Sequence, residues 1–263
     1  MDRRLDLLVS EAAGVSREFA KELIVSGKCS VLGRVRRKPG AKFPENTAVF
    51  VDAVPPQFVS RGGLKLAKAL RVFNLELQNK YCLDVGAATG GFTDCMLQNG
   101  AKSVFAVENG IGQLHPKLAA DPRVISREGL DIRDLSPEEL PFEPEFIAVD
   151  LSFISLTLVL PKISEFLAKS GQIVLLAKPQ FEVGPGRVDK RGVARRPNDH
   201  IAAIERVCEA VKTCGLRPAG LDFSPIKGQN GNREYLFFAD RIGGVELSKS
   251  TIQKVVNRAF MEL

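Results

Sequence analysis

From Tyr81 onward, short apolar runs alternate with stretches whose apolar residues have helical spacing, and this pattern predicts an α/β domain. Seven runs read as strands: YCLDVG, SVFAVE, RVISRE, FIAVD, IVLLAKP, PAGLDF and EYLFFAD. Strands that alternate with helices are typical of βαβ units on one mostly parallel sheet. A turn-rich segment over residues 227–232 separates the last two runs. We therefore predict a mostly parallel, seven-stranded sheet covered by helices.

A smaller unit precedes this sheet. The segment SREFAKELIVSGK carries apolar residues at helical spacing, and short extended pieces follow it at residues 29–32 and 47–51. A Pro-Pro pair then interrupts the pattern. We assign residues 1–53 to a small α+β domain, residues 54–60 to a linker and residues 61–263 to the larger α/β domain.

Composition adds a bias toward polyanionic partners. The chain of 263 residues is 44% hydrophobic and 26% charged, which is ordinary for a folded protein and excludes a mainly disordered chain. Its 37 Lys and Arg exceed its 31 Asp and Glu, so the net charge is +6. Residues 28–42 hold six basic residues and no acidic one. This concentration favours a nucleic-acid partner, although a solvated loop rich in Lys and Arg would have the same composition.

Neither a membrane nor a metal is indicated. The first residues carry Asp2, Asp6 and Glu11 among apolar positions, so they lack the uninterrupted apolar run of a signal peptide. The most lipid-like stretch, residues 146–160, is shorter than the roughly 18 apolar residues that a spanning helix needs and contains Asp150. Five cysteines without a CxxC pair support neither a disulfide framework nor a zinc site. We therefore expect a cytoplasmic protein with buried thiols, no metal and no membrane partner.

A glycine-rich turn follows the first predicted strand of the sheet. The sequence DVGAATGGFT covers residues 84–93, and glycines between a strand and a helix let the backbone approach a ligand closely. A tight structural turn alone would explain the glycines, but Glu108 ends the second strand, where an acid can accept hydrogen bonds from a ribose diol. In its D-x-G-x-x-x-G-G form the turn resembles the S-adenosylmethionine site of Rossmann-like methyltransferases. The residues expected to bind this cofactor are Asp84, Gly86, Ala87, Thr89, Gly90, Gly91, Phe92, Glu108 and Asp150.

Ionisable residues stand where a purely structural strand would have none. Asp150 and Lys178 each stand at the end of a predicted strand, and Glu234 stands at the beginning of the last one. Lys65 lies in the helix-like segment SRGGLKLAKAL, ahead of the first strand of the sheet. Sheets of this class bind ligands at the carboxyl ends of their strands. A surface salt bridge explains any one of these residues more simply, whereas two lysines and two carboxylates that converge there would indicate catalysis.

These motifs carry a family resemblance over nearly the whole chain. The segments are RLDLLV, SREFAKELIVSGKCSV, SRGGLKL, LDVGAATGGFTD, VDLSFISL, AKPQFEVG and SPIKGQNGNREYL. They resemble the TlyA (hemolysin A) family of ribosomal-RNA 2′-O-methyltransferases. The resemblance implies an S4-type RNA-binding domain, then an FtsJ-like, Rossmann-like class I methyltransferase domain that uses S-adenosylmethionine. It also implies a catalytic tetrad of Lys65, Asp150, Lys178 and Glu234, with Lys68 as a less favoured choice for the first lysine.

The implied reaction explains the residue types of this tetrad. A ribose 2′-hydroxyl is a poor nucleophile, so methyl transfer needs a base beside the hydroxyl and in-line placement of the reactants. We take Lys178 as the base, because a neighbouring cation such as Lys65 favours its neutral amine. The two carboxylates oppose this effect while they hold both lysines in place, and the sequence leaves the balance open.

Two segments depart from the family pattern. Residues 108–110, Glu-Asn-Gly, stand where the family usually has Asp-Val-Gly, and a Glu can still accept a ribose diol. Residues 128–131, Glu-Gly-Leu-Asp, replace a usual Glu-Arg-Thr-Asn. This change leaves Asp131 as the expected contact of the adenine.

The resemblance also implies the substrate, ribosomal RNA in subunits or whole ribosomes, with cytidine as the target. The expected RNA-binding residues are cations of the N-terminal domain: Arg3, Arg4, Arg17, Lys21, Lys28, Arg34, Arg36, Arg37 and Lys38. The basic segment 178–196 is expected to be a mobile loop over the substrate entrance or a merely solvated loop. The sequence leaves the oligomeric state open.

Two other functions compete with methyl transfer. An RNA-binding ribosome assembly factor would keep the fold without the chemistry, and the complete tetrad argues against it. A pore-forming cytolysin, which the older family name suggests, would need membrane segments that the sequence lacks. Among single residues, the aromatic rings beside the motifs are expected in the core, and the two histidines at the surface or at helix caps. These residues are Phe92, Phe153, Phe181, His115 and His200.

Overall fold

The computed structural model describes residues 2–52, 56–184, 186–242 and 247–263. The N-terminal unit contains, in chain order, β1 (Asp2–Arg4), α1 (Leu5–Ala13), α2 (Arg17–Val25), β2 (Cys29–Val31), β3 (Arg34–Val35), β4 (Lys42–Pro44) and β5 (Val49–Val51). Strand β2 pairs antiparallel with β3 and with β5, and β1 pairs antiparallel with β4. The unit has the mixture of helices and strands expected of a small α+β domain. Its predicted boundary falls on residues 53–55, which lie outside the described residues.

The two helices of this unit bury their apolar faces against β2. Ser16 caps α2, because its side chain accepts a hydrogen bond from the backbone N–H of Phe19. Leu23 and Ile24, on the next turn of the helix, lie in one buried core with Val31 of β2. The helical spacing in the sequence therefore marks the buried face of α2.

The larger unit forms the predicted α/β sheet. Its elements are α3 (Gly62–Val72), β6 (Tyr81–Val85), α4 (Gly91–Gln98), β7 (Ser103–Glu108), α5 (Pro116–Ala119), β8 (Val124–Glu128), β9 (Phe146–Val149), α6 (Leu156–Phe166), β10 (Gln172–Ala177), α7 (Pro179–Glu182), α8 (Pro197–Thr213), β11 (Arg217–Phe223), β12 (Tyr235–Asp240) and α9 (Lys249–Glu262). The strand order is β11-β12-β10-β9-β6-β7-β8. Strand β12 runs antiparallel to both neighbours, and the pairs from β10 to β8 are parallel. The predicted seven-stranded, mostly parallel sheet is confirmed.

The central strands are buried on both faces. Every residue of β9 is buried, and so is every residue of β10 except the first. Helices α6, α8 and α9 cover one face, and α3 and α4 cover the other. This arrangement explains why the strands read as continuous apolar runs in the sequence. Because β12 is antiparallel, its first residue lies at the same edge of the sheet as the last residues of the parallel strands.

The two histidines have different surroundings. His115 caps α5, where its side chain accepts a hydrogen bond from the backbone N–H of Lys117, as expected. His200 is fully buried in α8, so its expected surface or capping role is wrong. Its Nδ1 atom lies 2.8 Å from Oη of Tyr235, and its Nε2 atom lies 2.9 Å from the backbone oxygen of Ala194. Burial lowers the pKa of His200, so the ring is neutral near pH 7.

Within the described parts of the chain, no helix has the length and the apolar character needed to cross a membrane. Four cysteines are buried: Cys29, Cys82, Cys95 and Cys208. Burial raises the pKa of Cys82 and of Cys95 to about 12, which keeps these thiols protonated and unreactive.

Candidate active site

The glycine-rich turn between β6 and α4 lies at the carboxyl edge of the sheet. Gly86 has a φ of +86°, and a Cβ atom on it would lie 2.5 Å from the backbone oxygen of Asp150. Gly90 is the N-cap residue that precedes α4 and has a φ of 94°. Ala88, between them, has a positive φ of 46°, which is uncommon for a residue with a side chain. Glycine is therefore required at position 86 both for the backbone conformation and for space.

Asp84 lies fully buried at the end of β6. The hydroxyl of Thr93 donates a 2.6 Å hydrogen bond to its Oδ2 atom. Its Oδ1 atom has no hydrogen-bond partner among the described residues. Burial raises the pKa of Asp84 to about 7, although the hydrogen bond from Thr93 opposes this shift. A buried carboxylate oxygen without a partner is an acceptor that a ligand can satisfy.

Glu108 ends β7 beside the same turn. Its Oε2 atom accepts a 2.9 Å hydrogen bond from the backbone N–H of Ala88, and its Oε1 atom accepts one of 2.8 Å from Gly110. Each carboxylate oxygen can accept two hydrogen bonds. Glu108 thus keeps the capacity to accept both hydroxyl groups of a ribose.

A cavity of about 590 Å³ adjoins the turn. Apolar side chains such as Leu130 and Ile132 line it, together with Asp131. Asp131 accepts hydrogen bonds from the backbone N–H of Arg133 at 3.0 Å and from its guanidinium group at 2.7 Å. The side-chain hydrogen bond from Arg133 lowers the pKa of Asp131. The cavity therefore offers apolar walls and an ionised carboxylate, a combination suited to a heteroaromatic ring.

Strand register brings three ionisable residues to the same edge. In the antiparallel pair of β10 and β12, Ala177 lies opposite Tyr235. Lys178, which follows Ala177, therefore comes beside Glu234, which precedes Tyr235. Strand β9 pairs with β10 on the other side, and Asp150 directly follows β9. The three residues meet because β12 runs opposite to β9 and β10.

Lys65, Asp150, Lys178 and Glu234 form one cluster of charges, which we call the tetrad. Lys178 Nζ lies 2.6 Å from Asp150 Oδ1 and donates a 2.9 Å hydrogen bond to Ser152 Oγ. Lys65 Nζ lies 2.6 Å from Glu234 Oε2 and 3.7 Å from Asp150 Oδ2. The structure thus brings together the two lysines and two carboxylates that the sequence predicts, and their catalytic role remains a prediction.

The tetrad is electrostatically balanced, with two positive and two negative groups. Burial alone would raise the pKa of Asp150, but the ammonium groups of Lys65 and Lys178 outweigh it and hold the pKa below its ordinary value. Burial alone would lower the pKa of Lys65, but Asp150 and Glu234 outweigh it and raise the pKa. Asp150 and Lys65 are therefore both charged near neutral pH.

Lys68 lies one turn after Lys65 on α3 and points to a different partner. Its Nζ atom lies 3.1 Å from Asp222 Oδ2 and donates a 2.6 Å hydrogen bond to the backbone oxygen of Phe223. These contacts lie on β11, and neither is with Asp150, Lys178 or Glu234. The structure therefore favours Lys65 as the first lysine, in agreement with the motif.

Aromatic rings at this edge were not all assigned correctly from the sequence. Phe92 is buried as expected, but Phe153 is 84% exposed, so its expected core position is wrong. The residue has a φ of 65°, and this left-handed turn after β9 directs the ring outward. The ring centroids of Phe153 and Phe181 are 5.4 Å apart. Two aromatic side chains therefore lie together close to Asp150 and Lys178.

Sequence reasoning also missed two polar residues that support the tetrad, Ser152 and Glu182. Glu182 is buried, and its carboxylate accepts hydrogen bonds from the Ser155 hydroxyl at 2.6 Å and from the backbone N–H of Leu156 at 2.8 Å. Its backbone oxygen accepts a 2.6 Å hydrogen bond from Arg206 of α8. The loops that carry Asp150 and Lys178 are thereby joined behind the tetrad. The only sequence signal for these residues is that both stand inside the motifs VDLSFISL and AKPQFEVG.

A cleft of about 830 Å³ opens over the tetrad. It is lined by all four tetrad residues, of which Asp150 is also in the predicted cofactor set, and by five further residues of that set: Gly86, Ala87, Thr89, Gly91 and Phe92. Ser10, Arg17 and Phe19 of the N-terminal unit also line it. The exposed ion pair of Arg61 with Glu22, 2.8 Å between Nη1 and Oε1, joins the two units nearby. The N-terminal unit and the glycine-rich turn therefore share one cleft.

The cations predicted to bind RNA fall into three groups. Ion pairs within the N-terminal unit hold four of them: Arg3 with Glu11, Arg4 and Arg17 with the buried Asp6, and Lys21 with Glu18. Two more have other contacts, since Arg36 lies over the ring of Phe43 and Arg37 donates to the backbone oxygen of Val25. The remaining three, Lys28, Arg34 and Lys38, are exposed and have no ion pair with another described residue.

Comparisons with known proteins find similar chains over most of this chain's length. A family model described as "FtsJ-like methyltransferase" matches residues 58–241. The chain is 40% identical over 266 residues to "Putative rRNA methyltransferase YqxC" of Bacillus subtilis (strain 168), covering 99% of this chain and 95% of that protein. It is 37% identical over 256 residues to "16S/23S rRNA (cytidine-2'-O)-methyltransferase TlyA" of Mycobacterium tuberculosis (strain CDC 1551 / Oshkosh), covering 97% and 96%. The solved structure "Putative hemolysin from Streptococcus thermophilus" matches with a TM-score of 0.81 at 39% identity, covering 99% and 96%.

Proposed function

We propose that this chain, which belongs to the FtsJ-like methyltransferase family, transfers a methyl group from S-adenosylmethionine to a ribose 2′-hydroxyl of ribosomal RNA. The single observation that carries the proposal is the tetrad, whose two lysines and two carboxylates meet in the cleft lined by the glycine-rich turn. The relatives named as rRNA methyltransferases, one of them specific for the cytidine 2′-oxygen, support ribosomal RNA as substrate and cytidine as target.

The residues around the turn fit S-adenosylmethionine. Asp84 has a buried oxygen without a partner, and Glu108 retains two acceptor positions for a ribose diol. Asp131 lines an apolar cavity suited to an adenine ring. These residues would hold the cofactor, which when bound supplies an electrophilic methyl group on a positively charged sulfur.

Lys178 is assigned as the base. When the 2′-oxygen bonds to the methyl carbon and the carbon–sulfur bond breaks, the proton of the hydroxyl has to leave, and Lys178 takes it after its ammonium group has first released a proton to solvent. Lys65 contacts both carboxylates and stays charged, whereas Lys178 contacts one carboxylate and the neutral hydroxyl of Ser152. Asp150 then orients the Lys178 nitrogen. A positioned general base contributes roughly 10²–10⁴-fold to a rate.

Residues outside the tetrad serve the RNA. We propose that residues 1–53 act as an S4-type RNA-binding domain, that residues 54–60 link it to the methyltransferase domain of residues 61–263, and that the protein works in the cytoplasm. Lys28, Arg34 and Lys38 can contact phosphates, because no carboxylate among the described residues neutralises them. The exposed ring of Phe153, with Phe181 beside it, offers a stacking surface for an unpaired base next to the tetrad.

Incubation with radiolabelled S-adenosylmethionine and ribosomal subunits or ribosomes, followed by mapping of the labelled nucleotide, tests this function. We expect one labelled ribose at a cytidine, and no label when Lys178 is replaced by Ala. Label on a base, or transfer that survives Lys178→Ala at the wild-type rate, contradicts the mechanism. Tight RNA binding with no transfer by the wild type supports an assembly factor instead.

A further inference from the structure

The segment between α7 and α8 forms a short basic hairpin, which we define as residues 187–196. Val188 and Ala194 form an antiparallel bridge across it. At its tip, the Oδ1 atom of Asp189 accepts hydrogen bonds from the backbone N–H groups of Arg191 at 2.8 Å and of Val193 at 3.0 Å. Residues 187–196 of the expected loop therefore form a turn with its own hydrogen bonds.

Two asparagines fix this hairpin to the segment that leads into β12. Asn230 donates a 2.9 Å hydrogen bond from its side chain to the backbone oxygen of Arg191. Asn232 donates one of 3.0 Å to the backbone oxygen of Gly192 and accepts one of 3.3 Å from the backbone N–H of Ala194. Asn232 precedes Glu234 of the tetrad by two residues. The hairpin is therefore hydrogen-bonded to the segment that carries a tetrad residue into β12.

The hairpin carries more positive charge than its surroundings neutralise. Five exposed cations belong to it: Arg187, Lys190, Arg191, Arg195 and Arg196. Asp189 pairs with Arg195, and Asp199 pairs with Arg187 and Arg196. Lys190 and Arg191, at the tip, form no ion pair with another residue of the described part of the chain. A net positive tip remains.

The segment that anchors the hairpin also belongs to the cleft. Ile226, Lys227 and Gly228 line the cleft over the tetrad and are followed closely by Asn230 and Asn232. A merely solvated loop has no need for side-chain anchors on its backbone, whereas a phosphate-binding surface gains from them, because less ordering is required when the partner binds.

On these grounds we infer that the basic hairpin is a second RNA-contact surface, which holds the phosphate backbone of the substrate strand beside the cleft through Lys190 and Arg191. This inference rests on the proposed function, since it takes RNA as the substrate of the same cleft. It adds a contact from the methyltransferase unit to the contacts expected of the N-terminal unit.

The test compares two variants of equal charge change. Lys190→Ala/Arg191→Ala removes the tip cations, and Lys102→Ala/Lys169→Ala removes two exposed lysines that precede β7 and β10, at the opposite edge of the sheet. Methyl transfer to ribosomal particles and direct binding of those particles are both measured over a series of KCl concentrations. We expect the tip variant to raise KM and Kd for the particles about tenfold while kcat stays within about twofold. Its slope of log Kd against log [KCl] should fall by about 1.4–1.8, the value for two phosphate contacts.

A third variant, Asn230→Gly, tests the anchoring without a change of charge. Glycine suits the φ of 56° at this position and removes the side-chain amide that holds the carbonyl of Arg191. We expect a smaller rise of Kd, about threefold, with an unchanged salt slope.

The outcomes separate this inference from the proposed function. If the wild type methylates ribosomal RNA but the tip variant binds and reacts like the Lys102/Lys169 control, the hairpin is solvated surface and the inference is overturned. If the wild type transfers no methyl group, the proposed function fails, while the binding arm still decides whether the hairpin contacts RNA.

Discussion

The lysines of the tetrad and the exposed cations of the N-terminal unit carry the same charge but differ in burial and in pairing with carboxylates. Lys65 and Lys178 are largely buried and have carboxylate oxygens at 2.6 Å. Lys28, Arg34 and Lys38 are exposed and have no ion pair within the described residues. A buried lysine with built-in counter-charges is held in one geometry, whereas an exposed one leaves its neutralisation to a partner. Under the proposed function, the buried lysines serve chemistry and the exposed cations serve docking.

The comparison also predicts different costs of substitution. Removing one member of a buried ion cluster leaves a partner charge without compensation, which is strongly unfavourable. Removing an exposed cation changes stability little, because water already solvates it. Substitutions in the tetrad should therefore lower activity and stability. Substitutions of the exposed cations should instead change the salt dependence of RNA binding.

The largest effect is expected at the tetrad. Lys178→Ala removes the proposed base and should reduce kcat by roughly 10²–10⁴-fold, while the Kd of S-adenosylmethionine stays within a few-fold of the wild type. Lys68→Ala is the control, because its partner is Asp222 on β11 and its loss should be mild. If Lys68→Ala is the more damaging variant in single-turnover assays, the choice of tetrad lysine is wrong.

Gly86→Val tests whether a substitution in the glycine-rich turn abolishes binding of the cofactor. The new Cβ would lie 2.5 Å from the backbone oxygen of Asp150, and the φ of +86° disfavours any side chain. We expect calorimetry to detect no S-adenosylmethionine binding. Gly215→Val is the matched control, because Gly215 has a φ of +70° and open space around it. Equal loss of binding in both variants would trace the effect to general destabilisation.

Asp84 can be compared with the carboxylates of the tetrad, because it is also buried but has no lysine in contact. When folding raises the pKa of a carboxyl group, the folded protein loses stability as the pH rises from the pKa of the unfolded state to the pKa of the folded state. Asp84→Asn should therefore gain stability relative to the wild type between about pH 4 and pH 7 and gain no more above that. A pKa raised from 3.8 to about 7 corresponds to a gain on the order of 4 kcal/mol. Urea unfolding across this pH range measures it, and parallel curves for variant and wild type would contradict it.

The smallest effect is expected for the exposed cations. Replacing Lys28, Arg34 and Lys38 together by Ala should weaken binding to ribosomal particles and lower the salt slope by roughly 0.7–0.9 per lost phosphate contact. The melting temperature and S-adenosylmethionine affinity should not change. The exposed Lys102, Lys169 and Lys254 provide a control of equal charge. An unaltered salt slope would move the docking surface away from these three residues.

The sequence predicted the family, the sheet and the S-adenosylmethionine cofactor, and these predictions are confirmed. They succeeded because buried parallel strands leave continuous apolar runs, and because the motifs place ionisable residues at the strand ends. The roles of individual site residues stay predictions.

Other features depend on contacts between distant residues and could not be predicted. His200 is buried because Tyr235, 35 positions later, meets its ring. Phe153 is exposed because the loop after β9 takes a positive φ, for which a phenylalanine gives no signal. Arg4 and Arg17, two predicted RNA contacts, both lie against the buried carboxylate of Asp6. Composition cannot separate such internal ion pairs from cations that remain available to a partner.

The hydrogen bonds of Glu182 have a consequence for motion in the cleft. Glu182 joins α7 to the start of α6, and Arg206 joins it to α8, so the two loops that carry Asp150 and Lys178 should move as one rigid body. The exposed ion pair between Arg61 and Glu22 holds the N-terminal unit to the methyltransferase unit much more weakly. We expect slow amide hydrogen exchange at Leu156 and faster exchange in the helices of the N-terminal unit. Under the proposed function, such a pattern means that displacement of the N-terminal unit admits the RNA, while Asp150 and Lys178 keep their relative positions on the time scale of opening.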